Sequence, residues 1–127
     1  MKTTAAVAIV MACVLGLGSG AAVRSAETAD VTLSGEVVDL HCYLTRGASG
    51  PEHAGCGNAC LARGVTAGFL AEDGRVFVLL GARPFPVKEQ IADLAGEKVT
   101  LTGTPVERGG VPALQLKTVE RREGAGR

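Results

Sequence analysis

The sequence predicts a mainly β domain: a small five-stranded barrel with a short helix in a loop insert and one helix between its third and fourth strands. Three observations predict it. Runs rich in Val and Leu recur with turn residues between them. A single later stretch repeats apolar residues at helical spacing. Once an N-terminal leader is set aside, about 100 residues remain, enough for one small domain.

Taken in order, "VTLSGEVVDLHCYL" reads as a long first strand, with Gly35 as a bulge where its in-out phase changes. "TAGFLAEDGRVFVLLG" reads as a hairpin, because Asp73 and Gly74 form a two-residue turn signal between apolar runs. "RPFP" sets extended and then helix-starting geometry. The following "VKEQIADLAG" places Val87, Ile91 and Leu94 on one helical face, and Gly96 ends that helix. "EKVTLTGTPVERGGVPALQLKTVE" gives two alternating strands joined at Arg108, Gly109 and Gly110. The tail, residues 121–127, is charged and glycine-bearing and is expected to fray.

Strand, insert, strand, strand, helix, strand, strand is the order of an OB-fold. The opening "VTLSGEVVD" and the final "AGEKVTLTGTPVERGGVPALQLKTVE", with their "GxVV" and "V.LTGT" strands, resemble the small exported OB-like proteins of bacteria. The resemblance covers most of the mature chain and implies the fold rather than an activity. In an OB-fold the loop between strands one and two is a usual ligand site. Here that loop is the most chemically distinctive part of the chain.

Residues 1–25 read as a cleaved signal peptide: Lys2, an apolar run from Ala5 to Leu17, then small residues. The run falls short of the roughly 20 apolar residues that span a bilayer. The mature start is expected between Ala22 and Glu27, the domain over residues 26–120, and the location in the periplasm or outside the cell. A second option makes Cys13 a lipid-modified cysteine, which would anchor the protein to a membrane. Lys2 and Arg24 leave with the leader while no acid does, so thirteen basic against thirteen acidic residues become eleven against thirteen. A near-neutral chain argues against nucleic acid or an anionic membrane as partner. Its few aromatics, Tyr43, Phe69, Phe77 and Phe85, do not make a stacking platform in a basic groove. No GxSxG, phosphate loop or HExxH occurs. Asp39, Glu52, Glu72 and Asp73 read as surface or turn carboxylates, and binding is favoured over catalysis.

The segment "HCYLTRGASGPEHAGCGNAC", residues 41–60, holds both histidines and three of the four cysteines. It forms most of an insert spanning residues 41–64. Ser49 and Glu52 make a capping-box signature with Pro51 at the helix start, so a helix is expected from Pro51 to Arg63, stopping at Gly64. At about 100° per residue, His53, Cys56 and Cys60 then lie within roughly 60° of one another on one face. Gly55 and Gly57 weaken that helix unless close packing explains them. In a continuing first strand, Cys42 shares the apolar phase of Val38 and Leu40 and points to the interior. His41 has the other phase and joins the insert only if the strand has already ended.

Cys42, His53, Cys56 and Cys60, with His41 as a further candidate, are therefore the expected metal ligands. Three thiolates and an imidazole suit a structural zinc ion, and thiolates also suit monovalent copper. The expected partners are the metal ion and an exported protein partner. Two other readings stay open. A disulfide from Cys42 to Cys56 or Cys60 would staple the insert to the barrel for about 2–4 kcal/mol and leave one thiol spare. Thiol redox chemistry is the third, although "CGNAC" has three intervening residues rather than two.

Overall fold

The structure is a computed structural model and describes residues 28–82 and 86–123. Five strands close a barrel: β1 (Val31–Asp39), β2 (Ala67–Ala71), β3 (Val76–Leu80), β4 (Lys98–Arg108) and β5 (Val111–Arg121). Around the barrel they run β1-β2-β3-β5-β4, the OB arrangement. β1 is shared by two partners. Val31–Glu36 pairs with β4 and Gly35–Asp39 with β2, both antiparallel. Closure comes from β3 and β5, which lie parallel.

The interior is built from one side of each strand. Val37, Phe69, Leu79, Val99, Leu101, Leu114 and Leu116 are buried in a single cluster, and Ile91 and Leu94 close one end. The register of β4 on β5 skips Lys117, between the pairs Thr102–Thr118 and Gly103–Leu116. This bulge resets the in-out phase, so that both Leu116 and Val119 turn towards the core. Gly109 and Gly110 join the two strands with φ of 60° and 76°, the two positive values a tight hairpin turn needs.

Three expectations about local structure need correction. Gly35 is not a bulge, since it pairs in register with Ala71 on one side and Val99 on the other. Its lack of a side chain serves close approach instead: a Cβ there would lie 2.6 Å from Cζ of Phe69. The first strand ends at Asp39, and Leu40–Arg46 form a helix, α1. The helix before β4 is one turn, α3 (Val87–Gln90). Beyond it the chain turns at Asp93, whose φ is 58°. Ile91 and Leu94 are nonetheless buried, as the helical spacing predicts.

β5 continues to Arg121, and the N–H of Arg122 donates to the Lys98 carbonyl at 2.9 Å. Residues 1–27, which include the expected leader and Cys13, residues 83–85 of "RPFP", and the last four residues lie outside the described residues. Among the described residues no helix is long and apolar enough to cross a membrane.

Candidate metal centre

Asp39 begins the site. It is the last residue of β1, fully buried, and it caps α1: its Oδ1 accepts the backbone N–H of Cys42 at 2.8 Å. Gly47, at φ 67°, closes the other end by donating to the carbonyls of Cys42 and Tyr43. Within this helix Cys42 is the buried residue, whereas His41 is exposed. Cys42 is therefore interior as the sequence suggests, but because one helical face turns inward, not because of strand alternation.

The rest of the insert folds as a 3-10 turn, Pro51–His53, followed by α2 (Ala54–Ala62). Ser49 does not cap it. The N-terminal position belongs to Gly50, whose N–H donates to the buried Glu36 carboxylate on β1. α2 crosses the end of β1 and is fastened there. Asn58 Oδ1 accepts the Ala95 N–H at 2.9 Å, and the Gly96 N–H donates to the Val37 carbonyl at 2.9 Å. Gly57 is the contact point: a Cβ on it would sit 2.9 Å from Cβ of Ala95. Gly55, by contrast, has open space around it.

This packing brings the donors together. Cys42, His53 and Cys56 offer ligand atoms that all lie within 4.8 Å of one another, as do Asp39, Cys42 and Cys60. Cys42 belongs to both groups. Two stretches separated by the Gly47–Gly50 bend thus meet around Cys42: α1 brings Cys42, and the 3-10 turn with α2 brings His53 and Cys56 in one group and Cys60 in the other. His41 belongs to neither group. Cys42, Cys56 and Cys60 carry free thiols, buried, exposed and half-buried respectively.

Hydrogen bonds organise the cluster. His53 Nε2 lies 2.8 Å from Asp39 Oδ2, and Arg46 donates to Cys42 Sγ at 2.8 Å. Burial pushes the Asp39 carboxyl up, but the backbone N–H of Cys42, then His53 and the Cys42 thiol, outweigh it and hold the group below its usual value. The Cys60 thiol is pushed up, first by burial and then by its hydrogen bond with Cys56 and by the charges of Cys56, Asp39 and Cys42. A cation among these groups would reverse the charge repulsion, because a thiolate bound to metal is no longer an isolated anion.

Asp39 is the functional residue that the sequence analysis missed. Its signal was present: an Asp directly before a seven-residue stretch that is followed by Gly47 makes an N-cap and C-cap pair. Reading Leu40–Leu44 as strand hid it. Arg46, in the last turn of α1, is the donor to Cys42.

Compared with known proteins, the chain matches no family model, no curated protein and no solved structure. What the centre does must follow from its own side chains. Sulfur and imidazole donors within 4.8 Å of one another could hold a metal ion.

Proposed function

We propose that this protein is an exported metal-binding protein that holds a zinc or copper ion through Cys42, His53, Cys56 and Cys60. It serves in metal handling or as a metal-stabilised accessory domain rather than in catalysis. The observation that carries this reading is the convergence of Cys42, His53 and Cys56 within 4.8 Å, drawn from two separate parts of the insert. Cys60 enters through its place within 4.8 Å of Cys42. Export is supported by the leader-like pattern of residues 1–25, and it places the protein where both metals are encountered.

One observation favours a second reading. Cys42 Sγ lies within 4.8 Å of both the Cys56 and the Cys60 sulfur, so oxidation would staple α2 to α1. A single experiment separates the two. Protein isolated from an oxidising compartment is denatured, its free thiols are counted, and its metal is measured by elemental analysis. Three titratable thiols with one equivalent of metal support the metal centre. One thiol and no metal support the disulfide and overturn it. In the same assay Cys60→Ser should lose the metal while circular dichroism still reports a folded barrel; full retention would remove Cys60 from the ligand set.

A further inference from the structure

We infer that Asp39 is a positioning residue of the metal centre, holding the His53 ring by Nε2 so that Nδ1 is the nitrogen offered to the ion. The inference rests on the metal-binding reading above and goes beyond it, because it settles which of the clustered side chains ligate and through which atom.

Asp39 stands in one of the two groups of convergent donors, so its carboxylate is itself a candidate ligand. Its hydrogen bonding argues otherwise. Oδ1 is taken by the backbone N–H of Cys42 at 2.8 Å, and Oδ2 faces His53 Nε2 at 2.8 Å. The first of these bonds is also the cap of α1, so turning the carboxylate towards an ion would uncap the helix that carries Cys42. A carboxylate accepts and does not donate, so the hydrogen between Asp39 and His53 resides on Nε2. The neutral ring then keeps its lone pair on Nδ1.

This is the arrangement in which a carboxylate behind a ligating histidine fixes ring orientation and tautomer. One buried side chain therefore sets both halves of the centre: Oδ1 orders the helix of Cys42, and Oδ2 orders the imidazole of the 3-10 turn. Full burial of Asp39 keeps water from competing for either bond.

The test uses the full mature chain with isotope-labelled histidine. Nitrogen NMR of the metal-free protein should show the His53 hydrogen on Nε2, and addition of cadmium as a probe for zinc should couple the metal to Nδ1. Asp39→Asn should weaken zinc binding by about 10- to 100-fold while the three cysteine sulfurs remain the ligands seen by cobalt charge-transfer absorption. Coupling of the metal to Nε2, or unchanged zinc affinity in Asp39→Asn, would overturn the assignment and leave the metal reading intact. Failure of the wild-type chain to bind zinc, cadmium or cobalt would overturn the metal reading and this one together. Should Asp39→Asn not fold, the wild-type tautomer and coupling decide the matter alone.

Discussion

At the scale of single residues, Asp39 is the buried charge around which the insert is arranged. Truncation by Asp39→Ala strands the buried Cys42 N–H and the half-buried His53 ring, and should destabilise the metal-free protein by about 1–3 kcal/mol in urea denaturation. Because its folded pKa is lowered, the stability it contributes is complete above the ordinary aspartate value of about 3.9 and is lost as pH falls below that towards the depressed folded value. A pH series of unfolding curves should therefore stay level down to about pH 4 and decline beneath it, and Asp39→Asn should flatten that decline. Cys42, His53, Cys56 and Cys60 could be picked out of the sequence because their residue types are rare here and crowded into one stretch. Asp39 carried a signal only as the partner of Gly47, because a carboxylate acquires meaning from what it caps, and the cap depends on where β1 stops.

At the scale of elements, the same boundary explains most of what the sequence misplaced. Leu40–Leu44 carries the residues of a strand, and nothing local forbids one. What converts it to helix is the pair of end signals, Asp39 and Gly47, together with the Leu40 N–H donating to the Thr66 carbonyl at 2.9 Å as the chain leaves the barrel. The region after α3 went the other way. Ile91 and Leu94 keep a helical spacing, yet only one turn forms, because Ala95 bridges to Val37 and the chain must turn back at Asp93 to reach it. α2 offers a sharp test of packing against propensity. Gly55→Ala meets nothing and should stabilise by about 1 kcal/mol through helix propensity alone. Gly57→Ala drives a methyl into Ala95 and should cost about 1–3 kcal/mol despite the same propensity gain. Urea midpoints of the two variants moving in the same direction would contradict the docking of α2 described above.

At the scale of the whole molecule, the barrel was the most legible part, since alternation over five runs and a Gly-Gly turn leave few ways to pair the strands. Closure was legible only through the OB order of the elements: the parallel contact of β3 with β5 joins segments far apart in the chain, with no signal in either one. The core and the centre are separate bodies of contacts, for Cys42, His53, Cys56 and Cys60 lie outside the cluster around Phe69. Phe69→Ala should cost about 3–5 kcal/mol by opening that cluster, measured by thermal or urea unfolding. Metal removal should act differently. A chelator should lower the thermal midpoint, by an amount worth about 2.7 kcal/mol when the free ion had stood at 100 times its Kd, while leaving the far-ultraviolet spectrum of the barrel in place.

The hydrogen bond from the Ala95 N–H to Asn58 reaches beyond the site it adjoins. Asn58 sits between Cys56 and Cys60 on α2, so anything that steadies those two sulfurs also steadies the acceptor of a main-chain amide in the link leading into β4. Deuterium uptake at the Ala95 amide becomes a gauge of occupancy, slowing as the ion arrives and quickening as it departs.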